Sequence, residues 1–104
     1  RQSFDAVSAR AAWMREYPDS VVAEVILSED RLAALVRSDY GAGVVWSMGA
    51  DSAARVLDAA AQVIPRSDGC VVRLQQFDAP RVYVRLKPSR IPPWLTQTVQ
   101  EAHS

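Results

Sequence analysis

The sequence has few of the side chains that carry out most enzyme chemistry. Its 104 residues include one cysteine, one histidine and one lysine, and no asparagine. A single cysteine excludes an internal disulfide and is typical of a reducing compartment. One cysteine and one histidine are too few nitrogen and sulfur ligands for a zinc site, and His103 is too close to a fraying chain end to serve as a triad base. We therefore predict no catalytic residue, no metal site and no cofactor.

Long apolar runs are also missing. None approaches the roughly 18–20 residues that span a bilayer, and the first residues lack the apolar core of a secretion signal. We expect a cytoplasmic protein without a membrane partner. The composition, 49% hydrophobic and 23% charged, predicts one globular domain over residues 1–104. Because the chain does not begin with Met, we also expect it to be processed or cut from a longer protein.

Glycine-rich phosphate loops are absent as well. Gly41-Ala42-Gly43 is followed by Gly49, which is neither the spacing of a dinucleotide fingerprint nor that of a P-loop. We interpret Tyr40–Gly43 as a hairpin turn that needs positive φ. The adjacent acids Glu29 and Asp30 are expected to be solvated rather than catalytic.

The stretch from Cys70 to Lys87 is the most informative part of the chain, because it alternates strictly. The predicted turn is Phe77–Pro80, and the second strand has Val82, Val84 and Leu86 on one side and Arg81, Tyr83, Arg85 and Lys87 on the other. The first strand offers Cys70, Val72 and Leu74 against Val71, Arg73 and Gln75. Period-two alternation predicts an antiparallel hairpin with an apolar and a cationic face.

The cationic face gives the candidate residues for binding an anion or a partner, which are Arg73, Arg81, Tyr83, Arg85 and Lys87. Arginine forks suit phosphate and carboxylate, and an aromatic ring on a sheet can stack a base. An outward strand face is also expected to be polar for solubility alone. The formal net charge is zero, with −3 in residues 1–64 and +3 in residues 65–104. That split favours an acidic protein partner or a second copy over nucleic acid.

The remaining elements are predicted from periodicity and breakers. Ser3 is expected to cap a helix to Tyr17, with Phe4, Val7, Ala11 and Met14 as its apolar stripe. Strands follow at 21–27 and 44–48, and residues 31–37 fit either a strand or a helix capped by Ser28, with the strand preferred. A helix over 52–64 and a last helix over 93–102, with Ile91, Leu95, Val99 and Ala102 inward, complete the list.

These elements predict an α+β fold in one domain. The order is α-β-β-β-α-β-β-α, with a mainly antiparallel sheet of about five strands packed with helices. Cys70 and Trp46 are expected in the core, and Trp94 is expected to hold the last helix to the body. Trp13 is the tryptophan expected to lie nearest the surface.

The first hairpin carries the second functional clue. With a two-residue turn at Glu29-Asp30, Leu27 pairs with Leu32 and Val25 with Ala34 on one face. The opposite face then carries Val22, Ile26, Ala33 and Leu35. Because a sheet face in water is normally polar, these four residues are predicted to be covered by a helix or by a second copy.

Gly43–Leu74, predicted as strand, alanine-rich helix and strand, resembles the small substrate domain of FAD-linked oxidases. The resemblance implies an accessory domain or subunit of a larger enzyme. From the residues themselves we expect a non-catalytic interaction or regulatory domain that self-associates as a homodimer. The alternative from the same evidence is a module that binds anions or nucleic acid through hairpin 70–87.

Overall fold

The chain forms three layers: a helix, a four-stranded sheet and a three-stranded sheet. A computed structural model describes residues 3–74 and 81–96. Its elements are α1 (Ala6–Glu16), β1 (Val22–Leu27), β2 (Ala33–Ser38), β3 (Gly41–Met48), β4 (Asp51–Val56), β5 (Gln62–Arg66), β6 (Gly69–Arg73) and β7 (Arg81–Arg85). All pairings are antiparallel, in the orders β1-β2-β3-β4 and β5-β6-β7. The α+β class is confirmed, whereas the prediction of one five-stranded sheet is wrong.

Helix α1 begins two residues later than predicted. Its cap is Asp5 rather than Ser3, and Asp5 and Ser8 form a reciprocal capping box in which each side chain accepts from the other's backbone N–H. The buried residues are Ala9, Ala12 and Trp13, not the predicted stripe, and Val7 is 78% exposed. Compared with the predicted orientation, the helix is therefore rotated about its axis so that Trp13 faces the four-stranded sheet.

Gly43 explains that rotation. It lies inside β3, not in a turn with positive φ as predicted, and a Cβ built on it would lie 2.3 Å from two ring atoms of Trp13. The missing side chain thus provides the space that the indole fills. The turn itself is Asp39-Tyr40, and Gly41 is the residue with positive φ, at 110°.

The first hairpin confirms the strand for β2 and corrects its register. Val25 pairs with Val36 and Leu27 with Ala34, two residues from the predicted partners. A slip of two residues preserves the side-chain faces, because strand side chains alternate with period two. The turn is longer than two residues: it spans 28–32, with Arg31 at φ 60°.

The predicted helix at 52–64 is wrong. Residues in this stretch form β4, an exposed turn at 58–60, and the start of β5. β4 pairs with β3 from Met48↔Asp51 to Gly43↔Val56. Leu57 and Ala61, on either side of the turn, are both buried between the two sheets.

The second hairpin is confirmed. β6 pairs with β7 from Gly69↔Arg85 to Arg73↔Arg81, and the apolar side is buried as predicted: Cys70, Val72, Leu74, Val82, Val84 and Leu86. Gln75 and the turn at 77–80 lie outside the described residues. This apolar face packs on β2 and β3 in one cluster with Ala33, Leu35, Val44 and Trp46.

Two proline-marked turns follow β7. Pro88–Arg90 forms a 3-10 turn, and residues 93–96 are helical. Leu95 is buried, and Ile91 and Trp94 pack against the cluster between the sheets. The predicted positions for Val99 and Ala102 lie outside the described residues.

Candidate functional site

The cationic residues of the second hairpin lie on its outer face. Arg81, Tyr83 and Arg85 alternate with buried Val82 and Val84 along β7. Arg73 lies opposite Arg81 on β6, and Lys87 follows β7 at the start of the 3-10 turn. The structure thus places the five predicted residues along one hairpin. We call them the cationic strip.

Acids interrupt the cationic strip. Asp68 Oδ2 lies 3.9 Å from Arg85 Nε, and both side chains are largely exposed. Asp30, on the 28–32 turn, lines the same surface as Tyr83 and Arg85. An exposed ion pair contributes little stability, but these carboxylates weaken the local positive potential. The arrangement is less favourable for a continuous phosphate backbone than for a small group bound at one arginine.

A cleft opens beside β7, where the edge of the three-stranded sheet meets β2 and β3. It has a volume of about 180 Å³ and is lined by Asp30, Leu32, Trp46, Ser47, Arg81, Val82 and Tyr83. We call it the β7 cleft. The strand pairing fixes which backbone groups of β7 face it. Leu86 N donates to Asp68 O at 3.0 Å, so 73/81 and 71/83 are non-hydrogen-bonded pairs in the alternating ladder. The N–H and C=O of Arg81 and Tyr83 therefore point away from β6.

Two buried side-chain atoms near this cleft have no hydrogen-bond partner among the described residues: Trp46 Nε1 and Ser47 Oγ. They lie on opposite faces of β3, since successive strand residues alternate. Trp46 belongs to the cluster between the sheets and is 7% exposed. Leaving a buried donor unsatisfied costs about 1–3 kcal/mol. A buried donor without a partner requires an explanation, and the residue that carries this one also lines the β7 cleft.

The edge of β1 is the second candidate surface. Ser28 N donates to Ala33 O at 2.9 Å, so 26/35 is a hydrogen-bonded pair and 25/36 and 27/34 are not. The N–H and C=O of Val25 and Leu27 therefore point away from β2. A groove of about 420 Å³ runs along this edge and is lined by Ala6, Val25, Ile26, Leu27, Ser28, Glu29, Arg31 and Arg90. We call these open residues, Val25–Leu27, the β1 edge.

The other sheet edges are each closed at one position or more. On β4, Val56 N donates to Tyr17 Oη at 3.0 Å, and Ser52 Oγ accepts from Arg15 Nη2. β5 contains Pro65, which has no N–H to offer. On β7, Arg85 O accepts from Glu29 N at 2.7 Å, whereas the N–H and C=O of Arg81 and Tyr83 remain open. Natural proteins blunt edges in these ways to prevent unwanted pairing, whereas Val25–Leu27 of β1 combine open backbone groups with apolar side chains.

The sequence-based residues for self-association are divided by the structure. Ala33 and Leu35 are 1% and 0% exposed, because the three-stranded sheet covers their face. The sequence had predicted a helix or a second copy in that position. Val22 packs on the helix side, since a bulge between Val22 and Glu24 changes its facing. Only Ile26 of the four lines the groove of the β1 edge. The four residues therefore do not share one exposed face, and of them Ile26 remains a candidate for self-association.

Cys70 has the environment of a structural thiol. It is 2% exposed, and burial raises its pKa to about 11. At neutral pH it is therefore protonated and unreactive. Over residues 3–74 and 81–96, no group of three or more His, Cys, Asp or Glu side chains is placed to hold a metal ion.

Sequence reasoning missed the β7 cleft and the β1 edge because both depend on the second sheet. The cleft requires β7 to pack on the four-stranded sheet near Trp46, which no local pattern indicates. Strand β1 carried a usable signal: five apolar residues with a single charge, Glu24, are unusual for an exposed edge. The sequence alone does not show that β1 lies at the edge of the four-stranded sheet.

Comparison of the chain with protein-family models, curated proteins and solved structures finds no match. Residues 43–74 run through β3, β4, β5 and β6 with no helix among them, so the resemblance to the small domain of FAD-linked oxidases loses its basis. Within the described ranges, no helix is long and apolar enough to cross a membrane.

Proposed function

We propose that the chain is an interaction domain that self-associates by pairing its β1 edge antiparallel with the β1 edge of a second copy. The observation that carries the proposal is the outward direction of the N–H and C=O groups of Val25 and Leu27. Pairing of two such edges satisfies these groups and joins two four-stranded sheets into one sheet of eight strands. A two-fold axis suits this contact, because the same strand is used twice.

The side chains select a register for that pairing. With the axis at Ile26, Val25 lies opposite Leu27 of the second copy, and Ile26 lies opposite its own counterpart. Aliphatic cross-strand pairs of this kind stabilise sheets. A register centred on Glu24 places two carboxylates opposite each other and is disfavoured for that reason.

Charge supports the same register. Glu24 then lies opposite Ser28 of the second copy, beside its 28–32 turn. The groove at that turn carries Arg31 and Arg90 against one acid, Glu29. In the part of the chain that the structure describes, Glu24 makes one ion pair, an exposed contact of 3.6 Å to Arg37. A copy of this chain is therefore a complementary occupant for the groove. The first half of β1, where Arg10 Nη1 donates to Val22 O at 3.2 Å, stays outside the contact.

Sedimentation velocity over a wide concentration range tests the proposal with two variants at one position. Val25→Pro removes the outward N–H without breaking a bond to β2, so we expect it to be monomeric. Val25→Thr keeps the N–H, the shape and the β-branch, and we expect it to dimerise like the unmodified chain. Circular dichroism checks that both variants are folded.

Two results would contradict the proposal. The first is an unmodified chain that stays monomeric at the highest concentration reached. The second is a Val25→Pro variant that dimerises as well as Val25→Thr. If Val25→Pro fails to fold, Leu27→Pro replaces it, because the N–H of Leu27 also points away from β2.

The cationic strip supports a second candidate function, the binding of anions, and the orphaned Trp46 Nε1 is the observation that favours it. For the nucleic-acid version we expect salt-sensitive binding that is lost in the double variant Arg81→Ala, Arg85→Ala. Absence of binding at low salt would rule that version out. No contact among the described residues supports an accessory role in a larger enzyme.

A further inference from the structure

The β7 cleft combines an orphaned donor, a cation and a free strand edge. We infer that it binds a small monocarboxylate, with the carboxylate oxygens between Trp46 Nε1 and the guanidinium of Arg81. This inference does not rest on self-association, because the β1 edge and the β7 cleft share no lining residue.

Trp46 supplies the buried donor. Its side chain lies between the two sheets, in the same cluster as Val82 of β7, and both residues line the cleft. An indole N–H can only donate, so the atom that satisfies it must be an acceptor. The protein provides none among its described residues.

Arg81 supplies the charge, and β7 supplies further donors. The guanidinium is a planar fork that matches the two oxygens of a carboxylate. The backbone N–H groups of Arg81 and Tyr83 point away from β6 towards the open side of the strand. The C=O groups of the same residues point the same way, so the preference for an anion rests on Trp46 Nε1 and the Arg81 guanidinium.

The volume of the cleft and the charge of Asp30 limit the class of ligand that the cleft can bind. The cleft, at about 180 Å³, is smaller than sites for drug-sized molecules. Asp30 holds its position on the rim, where Oδ1 accepts from Ser28 Oγ at 2.7 Å and from Leu32 N at 3.1 Å. Its negative charge repels a dianion such as phosphate more than a monoanion. A monocarboxylate fits both limits.

Nuclear magnetic resonance of the indole N–H groups tests the inference directly. The chain has three tryptophans, and Trp46→Phe assigns the Trp46 signal by removing it. Sodium acetate is the probe, with sodium chloride at equal ionic strength as the reference. We expect acetate to move the Trp46 signal downfield in a saturable way. The Trp13 signal should stay in place, because its Nε1 already donates to Ser20 Oγ at 3.0 Å.

Arg81→Gln and Arg73→Gln form the matched pair of variants. Both remove one arginine from the cationic strip at directly opposed positions, but only Arg81 lines the cleft. We expect Arg81→Gln to weaken acetate binding about tenfold or more, and Arg73→Gln to leave it near the original value.

A Trp46 signal that acetate does not move, or moves equally in both variants, overturns the inference. Tighter binding of phosphate than of acetate also overturns the assignment to a monocarboxylate. A capped peptide with one aspartate forms the last arm. Tighter binding of the peptide than of acetate assigns the carboxylate to a protein partner, and weaker binding assigns it to a free acid.

Discussion

Trp13 and Trp46 lie on opposite sides of the same four-stranded sheet, and they are bonded in opposite ways. Trp13 is fully buried, fits the space left by Gly43, and donates its indole N–H to Ser20 Oγ at 3.0 Å. Trp46 is nearly as buried, at 7% exposure, and its indole N–H has no partner within the described ranges. Burial alone therefore does not distinguish a structural tryptophan from one at a site. The satisfaction of its polar atom does.

The difference extends to the layers around each ring. On the helix side, Trp13 also packs on Tyr17, with ring centroids 4.6 Å apart, and Tyr17 in turn closes the edge of β4. On the other side, the three-stranded sheet covers Trp46 but leaves the β7 cleft at its margin. The helix side is closed by complementary shapes, and the sheet side is closed less completely.

Gly43→Ala should give the largest effect, because it forces a methyl group against the Trp13 ring and to 2.9 Å from Arg55 O. Overpacking of this kind costs about 1–3 kcal/mol, and we expect a loss of about 3 kcal/mol in the free energy of unfolding because the ring is rigid. Urea denaturation measures the loss. Trp13→Leu in the same chain should recover part of it. A change below about 0.5 kcal/mol would contradict the tight fit, since that is the scatter of ordinary surface substitutions.

Ser20→Ala and Ser47→Ala each remove one buried hydroxyl, but only the hydroxyl of Ser20 has a hydrogen-bond partner among the described residues. Ser20→Ala leaves Trp13 Nε1 without an acceptor, so we expect a loss of about 1–3 kcal/mol in the free energy of unfolding. Ser47 Oγ has no partner among the described residues, and its removal should be neutral or slightly stabilising. Thermal and urea denaturation measure both variants. Equal losses of unfolding free energy in the two variants would contradict the distinction between hydrogen-bonded and unpartnered groups.

The reactivity of Cys70 tests how well the sheet side is closed. Burial raises the pKa of its thiol to about 11 from the usual 9.0. The folded protein therefore holds this proton more tightly than the unfolded chain. The resulting stabilisation is complete below pH 9 and is lost as the pH rises from about 9 to about 11. The thiolate population at pH 8 falls about a hundredfold, so alkylation by iodoacetamide should slow at least that much.

Unfolded protein in guanidinium chloride is the control for Cys70, and it should be alkylated at the rate of a free thiol. Fast alkylation of the folded chain at pH 8 would show that the sheet side opens more readily than the packing of Cys70 indicates.

Local patterns predicted the parts of the fold that local forces determine. The alternation around Val82 and Tyr83 predicted the second hairpin and its faces. For the first hairpin, the faces were predicted apart from that of Val22, and the pairing was wrong by two residues. Period two specifies a face strongly, but it does not specify which pair of same-face residues will meet.

The errors fell where distant residues decide. The spacing of Ala53, Val56 and Leu57 suits a helix, and alanine favours one, but β3 provides a pairing partner that converts the segment into a strand. Strand preference depends on such neighbours more than on the residue itself. Trp13 was ranked as the tryptophan nearest the surface, yet it is fully buried, because the space that receives it belongs to Gly43, thirty residues away.

For the candidate sites, the sequence pattern identified the arginines but did not predict which other residues lie next to them. Arg81 and Tyr83 were identified from alternation, whereas the role of Trp46 required the position of β7. The same holds for the β1 edge. Ile26 was selected as apolar and uncovered, but the sequence placed it on a face rather than at an edge.

The order of strands along the chain bears on how the molecule assembles in time. In both sheets, every strand pairs with its neighbour in sequence. Such pairings close short loops, which cost little chain entropy and form fast. The two meanders are joined by the exposed turn at 58–60, and they meet at the bond from Glu29 N to Arg85 O. We therefore expect the two meanders to form as local folding units and then to dock, with the β7 cleft as a surface that docking leaves open.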